Sequence, residues 1–120
     1  MNRDITLFLA IEQLVREKMF FYQGMRVARD IDLAELYKVD VQKLQEEVKQ
    51  HIERFPSDFM VRLGDNQYAF SEPGIIMLGG LLQGEKAVKA HIQFIDYFVH
   101  LANTNSVSIF DLIDNSENEL

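Results

Sequence analysis

Apolar residues at the start of the chain recur at helical spacing. The members of this stripe are Ile5, Phe8, Ile11 and Val15. Such spacing is one face of an α-helix, and Asp4 stands where a carboxylate accepts hydrogen bonds from a first helical turn. The pattern predicts a helix from residue 5 to about residue 18, and a strand over residues 5–11 is the competing interpretation.

Two pairs of short strand-like stretches, each pair joined by a turn, predict two β-hairpins. The first hairpin joins residues 19–22 to residues 25–29 through Gln23-Gly24, and glycine allows the positive φ of a tight turn. The second hairpin joins residues 59–63 to residues 67–71 around a Gly-Asp-Asn turn.

The segment between the hairpins is predicted to hold a short helix, a tight turn and an amphipathic helix. The short helix covers residues 32–37, and Lys38-Val39 forms the turn. The second helix has its apolar face at Val41, Leu44, Val48 and Ile52. It ends near Phe55-Pro56, because a residue before proline avoids the helical region.

The last part of the chain is predicted to be helical. Ser71 is expected to cap a helix that reaches about residue 83, with Pro73 in its first turn and Gly79-Gly80 closely packed. The longest predicted helix covers residues 85–103. It carries two apolar stripes, one formed by Ala87, Ala90, Phe94, Tyr97 and Leu101, the other by Val88, Ile92, Ile95, Val99 and Ala102.

These elements predict an α+β fold, a small helix-turn-helix or winged-helix-like domain with short β-hairpins and a long C-terminal helix. The expected organisation is an N-terminal helix over residues 1–18, the domain over residues 19–103, and an acidic, mobile tail over residues 104–120. Ile109, Phe110, Leu112 and Ile113 form a possible docking patch in that tail.

A helix, a tight turn and an amphipathic helix are the outline of a helix-turn-helix, and the second hairpin stands where a wing would follow. The polar face of the second helix would then enter a DNA groove, where Gln pairs with base edges and Lys or Arg pairs with phosphate. The candidate DNA-binding residues are Gln42, Lys43, Gln45, Lys49, His51, Arg54 and Arg62. Arg26 and Arg29 of the first hairpin could add to this patch. The apolar face of the second helix would pack a core in either case, so it does not by itself indicate that the protein binds DNA.

Three stretches of the sequence resemble a known family. They are DLAELY at residues 32–37, IERFPSDFM at residues 52–60 and AFSEPGIIML at residues 69–78. Together they resemble the domain named for an open-reading-frame-six N-terminus, a relative of the KilA-N domain, over roughly residues 20–101. The resemblance implies an α+β DNA-binding domain of phage or prophage type with a regulatory role.

The chain departs from the family pattern on the second helix. Where relatives carry Asn-Arg and Lys-Arg-Asn, this sequence has Gln45-Glu46 and Lys49-Gln50-His51, and Glu47 replaces a small residue. Two bases are therefore lost and two acids gained on the predicted DNA-facing side. The insert before AFSEPG is also shortened to a Gly-Asp-Asn-Gln turn.

Composition limits the other classes of function. The chain has 120 residues, a net charge of −7 and no cysteine, so a disulfide or a cysteine-ligated metal is excluded. The apolar stretches are too short to cross a bilayer. The three histidines and the scattered carboxylates form no ligand or acid–base pattern, so we expect no enzyme, no cofactor and no metal, in a cytoplasmic protein.

Two functions remain open from sequence. The first is a DNA-binding regulator that binds double-stranded DNA. The second is an acidic protein-interaction module or inhibitor that kept the fold, lost DNA binding and docks a host or phage protein. A homodimer is expected through the last helix, with Phe94, Tyr97, Leu101 and Phe110 as candidate interface residues. Burial of that stripe under the N-terminal helix of the same chain is the alternative.

Overall fold

The computed structural model describes the backbone of residues 4–119 and the side chains of residues 4–102. The helices are α1 (Ile5–Gln13), α2 (Asp30–Tyr37), α3 (Val41–Gln50), α4 (Glu72–Leu81) and α5 (Glu85–Glu119). The strands are β1 (Phe20–Tyr22), β2 (Met25–Arg29), β3 (Met60–Gly64) and β4 (Gln67–Ser71). The predicted α+β class is confirmed.

The four strands form one antiparallel sheet in the order β1-β2-β4-β3. Both predicted hairpins are present, and β2 pairs with β4 so that the hairpins join side by side. Gln23 and Gly24 have φ values of 52° and 81°, the paired positive values of the tight turn that suits the twist of a two-strand hairpin.

The predicted N-terminal helix is confirmed, and the alternative of a strand is wrong. The Asp4 carboxylate accepts a hydrogen bond from the Leu7 N–H at 3.1 Å. After α1 the chain continues as a π-helical turn, Leu14–Lys18, in which the Met19 N–H donates to the Leu14 carbonyl at 3.0 Å. This wider turn lets the consecutive Leu14 and Val15 both be buried.

The turn between α2 and α3 forms where the sequence predicts it. Lys38 adopts a left-handed φ of 60°, and the Val39 N–H donates to the Ala34 carbonyl at 3.0 Å, which is how a helix C-terminus is commonly closed. The Asp40 carboxylate then caps α3 by accepting from the Gln42 N–H at 2.8 Å.

Ile52 does not belong to the apolar face of the second helix, contrary to the prediction. The helix α3 ends at Gln50, and Ile52–Arg54 forms a separate 3-10 turn. Its Ile52 side chain is 51% exposed, whereas Leu44 and Val48 on α3 are fully buried. The change of helix type rotates Ile52 away from the core.

The junction between β4 and α4 is built around the carbonyl of Phe59. Ser71 stands just before α4, as predicted, but its hydroxyl makes no capping bond and instead donates to the Asp58 carbonyl at 2.6 Å. The Ser71 N–H donates to the Phe59 carbonyl at 3.1 Å. Gly74, in the first turn of α4, lies directly against this carbonyl: a Cβ there would be 1.9 Å from the Phe59 oxygen.

The close packing predicted at Gly79-Gly80 holds for the first glycine only. A Cβ on Gly79 would lie 2.2 Å from His91 Nδ1 and 2.8 Å from the Tyr37 hydroxyl. Gly80 is exposed, and the nearest atom to a Cβ there is His91 Nε2 at 4.0 Å. Gly79 therefore brings α4 close to α5, and Gly80 does not.

The first apolar stripe of α5 is covered by the chain itself. Phe94 is fully buried, with its ring 5.4 Å from Tyr37 and 5.9 Å from Phe98. Phe8 of α1 packs on Tyr97 at 5.8 Å between ring centroids. The prediction of Phe94 as an interface residue is therefore wrong, because the residue is part of the core of its own domain.

The second apolar stripe of α5 faces solvent. Val88, Ile92 and Val99 are 49%, 44% and 54% exposed, and Ile95 is partly buried. The helix itself extends to Glu119, past the predicted end at residue 103. The side chains of the predicted acidic tail, including Phe110 and the proposed docking patch, lie outside the described residues.

Candidate functional site

The helix α3 has one buried face and one polar, exposed face. Leu44 and Val48 are fully buried and anchor it to the core. The exposed positions are Gln42, Lys43, Glu46, Lys49 and Gln50. With two lysines against one glutamate, this exposed face carries a net charge of +1, although the whole chain carries −7.

Glu47 is not part of this exposed face, contrary to the prediction that two acids were gained there. Its side chain is 21% exposed and lies beside His51, with 4.0 Å between Glu47 Oε1 and His51 Nδ1. The same His51 nitrogen is 3.0 Å from the Glu47 carbonyl oxygen. Because a carbonyl only accepts, this contact is a hydrogen bond in the tautomer of His51 that carries the proton on Nδ1.

Gln45 has a different environment from the other candidate DNA-binding residues. Its Nε2 donates to the Asp30 carboxylate at 2.7 Å and to the Asn66 carbonyl at 2.9 Å. Both donors of the amide are therefore used within the chain. These bonds hold the tip of the β3–β4 hairpin against α3, so Gln45 is a positioning residue for the face rather than part of it.

Asp30 is the residue that the sequence analysis missed. This carboxylate, at the first position of α2, is 2% exposed, and it also accepts from the Tyr68 N–H at 3.0 Å. It therefore links α2, α3 and β4. Acidic residues are favourable at any helix start, so nothing in the sequence separates the buried Asp30 from the more exposed Asp32.

The remaining predicted cations lie at the surface around α3. Lys43, Lys49, Arg54 and Arg62 are exposed, and none of them forms an ion pair within residues 4–102. The Arg62 guanidinium donates to the Asp65 carbonyl at 2.8 Å, in the turn of the β3–β4 hairpin. Arg54 lies on the 3-10 turn that follows α3.

The cations of the first hairpin also make contacts within the chain. Arg26 donates to the Val15 carbonyl. Arg29 and Lys18 both contact the Asp32 carboxylate, at 3.4 Å and 4.0 Å. Arg26 and Arg29 therefore make contacts within the fold, as Arg62 does, but both side chains are exposed and keep their positive charge.

A second polar feature lies at the α4–α5 contact. His91 borders a cavity of about 390 Å³ with a mainly apolar lining that includes Phe59, Ile76 and Met77. Within the described side chains, its Nδ1 is a buried nitrogen without a hydrogen-bond partner. Desolvation lowers the pKa of His91 below its usual 6.5, because the charged ring loses water without gaining an acceptor.

This lowered pKa predicts that acid destabilises the protein through His91. The unfolded state binds the proton more readily than the folded state, so the contribution is present above pH 6.5 and falls as the pH drops through the folded pKa. We expect urea unfolding at pH 7.5 and pH 5 to show a smaller pH-dependent loss for His91→Gln than for the wild type. An equal loss in both proteins would contradict the assignment to His91.

The family model described as the ORF6N domain matches residues 17–72. This span contains α2, the turn, α3 and the β3–β4 hairpin, and it confirms over these residues the resemblance inferred from sequence. No match was found among curated proteins or among solved structures.

Two further properties concern the described part of the chain. No group of three His, Asp or Glu side chains in it is arranged to hold a metal ion. None of its helices combines the length and the apolar character that crossing a membrane requires.

Proposed function

We propose that the protein binds double-stranded DNA through the exposed face of α3, as a regulatory protein of phage or prophage type. The observation that carries this proposal is the face itself: Gln42, Lys43 and Lys49 are exposed on a helix whose opposite side is anchored in the core. Glutamine and lysine at such positions suit base edges and phosphates. The ORF6N match supports the same assignment.

In this proposal α2, the turn and α3 act as a helix-turn-helix, and the β3–β4 hairpin acts as a wing. The bonds from Gln45 to Asp30 and to Asn66 support this assignment, because they hold the hairpin tip beside the helix. Arg62 then serves as a phosphate contact from the wing, and Arg54 as one from the 3-10 turn that follows α3. The role is binding rather than catalysis, in the cytoplasm.

A homodimer is part of the proposal. Two copies would present two α3 helices, and two-fold symmetric proteins of this kind bind paired half-sites spaced by one turn of DNA. Closed two-fold dimers are the commonest soluble oligomers.

The test is fluorescence anisotropy against DNA fragments at low and at physiological salt. We expect saturable binding that weakens steeply with salt, because phosphate contacts release counterions. Replacing Lys43 and Lys49 by alanine should reduce the slope of log affinity against log salt by about 2. The charge-matched control is Lys18→Ala with Lys86→Ala, two lysines outside α3 and outside the apolar stripe of α5, which should leave the slope nearly unchanged.

Two results would count against the proposal. Equal losses in the two double variants would mean that only net charge matters and that α3 is not the contact. An absence of binding at low salt, where phosphate attraction is strongest, would favour the second function.

The second candidate function is an acidic protein-interaction module or inhibitor that docks a host or phage protein. The observation that favours it is the contact of Arg29 and Lys18 with the Asp32 carboxylate, in a chain whose net charge is −7. Binding to a protein partner through an apolar interface would respond weakly to salt, whereas DNA binding responds strongly.

A further inference from the structure

The exposed stripe of α5 has the spacing of a coiled-coil seam. Val88, Ile92, Ile95 and Val99 follow one another at four, three and four residues. This is the repeat by which two helices pack against each other over many turns. A helix that only covers its own domain needs one apolar face, and in α5 the stripe that contains Phe94 already serves that purpose.

The exposure of the stripe is large for side chains of this type. Val88, Ile92 and Val99 are between 44% and 54% exposed, on one line along the helix rather than scattered. Scattered apolar residues are normal at a protein surface, but a contiguous patch indicates an interaction site.

The exposed apolar surface of the α5 stripe continues toward α1. A groove of about 810 Å³ lies between α1 and α5, and Val99 lines it together with Ile5, Phe8 and Tyr97. Ile5 is 69% exposed. The lining of the groove is mainly apolar and includes Glu12, Arg16 and Asp96, so it offers a second helix both apolar and charged contacts.

The charges beside the stripe are complementary to those of a second copy of the same helix. Lys89 and Asp96 are seven residues apart, so they hold the same position in the repeat and flank the same side of the stripe. In an antiparallel pair this position faces its equivalent on the other helix. Lys89, which is 4.0 Å from the Asp4 carboxylate of its own chain, would then also lie opposite Asp96 of the partner subunit, and the symmetry would repeat this contact.

We propose that the Val88–Val99 stripe of α5 is the homodimer interface, in which the second copy packs its own stripe antiparallel to the first. Such an interface is self-complementary, as two-fold symmetry requires. It places Ile92 of one copy opposite Ile95 of the other. The inference specifies the homodimer of the proposed function and is independent of DNA binding.

The first experiment measures mass in solution by light scattering and sedimentation over a range of concentrations. We expect wild-type mass to be twice 14.0 kDa. Ile92→Glu with Val99→Glu should raise the dissociation constant of the dimer about a hundredfold or more, because buried apolar side chains become charged. The matched control is Ile31→Glu, an isoleucine that is 54% exposed on α2, and it should leave the dimer intact.

The outcomes test separately whether the homodimer exists and whether the stripe of α5 is its interface. A wild-type monomer at all concentrations would contradict both. A dimer that withstands the double substitution on α5 would leave the homodimer standing and overturn this interface. Circular dichroism of each variant shows whether it is folded, and anisotropy against DNA reports the proposed function separately.

The orientation is tested by cross-linking, which is simple because the chain has no cysteine. An equimolar mixture of the I92C and I95C variants should form the mixed disulfide on mild oxidation in excess over either symmetric one. Dominance of disulfides between two I92C chains would contradict the antiparallel arrangement.

Discussion

Replacing Gly74 by alanine should destabilise the fold by more than about 3 kcal/mol, the range of severe overpacking. The new Cβ would be 1.9 Å from the Phe59 carbonyl oxygen and 2.8 Å from its carbonyl carbon. Backbone cannot rotate out of the way as a side chain does. Moving this carbonyl would also break the hydrogen bond that it accepts from the Ser71 N–H at 3.1 Å.

The matched control for this variant is Gly80→Ala in the same helix. Gly80 is exposed, and the nearest atom to its added Cβ is 4.0 Å away. Alanine is favoured over glycine in a helix by about 1 kcal/mol, so this variant should gain stability. Urea unfolding followed by circular dichroism measures both changes. A Gly74→Ala protein as stable as the wild type would show that the β4–α4 junction is looser than described.

Replacing Asp30 by alanine should cost about 2–4 kcal/mol of stability. The Tyr68 N–H and the Gln45 amide would both lose their acceptor, and Tyr68 is buried. An unpaired buried donor costs more than the lost bond itself, because it is also deprived of water. Asp30→Asn keeps a carbonyl oxygen at the same place and should cost clearly less.

Hydrogen exchange gives a local readout for Asp30. The Tyr68 amide should exchange much faster in Asp30→Ala than in Asp30→Asn, relative to amides elsewhere in the sheet. If the two variants have the same stability and the same exchange at Tyr68, the carboxylate does not hold the structure together in the way proposed.

Local patterns along the chain were sufficient to predict most of the elements. The Asp4 cap, the Lys38-Val39 turn and the Leu44–Val48 face depend on neighbours within a few residues, so sequence spacing reveals them. Ile52 was misplaced because a change from α-helix to 3-10 turn leaves no clear mark in apolar spacing.

Contacts between distant residues could not be predicted in this way. Gln45 lies 15 residues from Asp30 in sequence, and Tyr68 lies 38 residues from it. Nothing local distinguishes a polar side chain that bonds across the fold from one that faces solvent. For the same reason, the sequence does not show that Gln45 and Glu47 are partly buried, and both were wrongly counted on the exposed face of α3.

The two stripes of α5 illustrate a further limit. Each stripe has the spacing of a buried helix face. The sequence does not show whether the stripe of Phe94 or the stripe of Ile92 is the buried one. The stripe that contains Phe94 is buried by three helices together. The Asp4 N–H at the start of α1 donates to Gln93 Oε1 at 3.3 Å, Tyr37 of α2 packs on Phe94, and Gly79 brings α4 against α5. These distant contacts leave the other stripe in solvent.

The separation of support and surface on α3 has an evolutionary consequence. Leu44, Val48 and Gln45 hold the helix in place, whereas Gln42 and Lys49 make no side-chain hydrogen bond within residues 4–102. Substitutions on the outer side of α3 therefore carry little stability cost and are open to selection. The chemistry of this surface can therefore change within a few mutations while the scaffold stays the same, and libraries randomised on this side should remain folded.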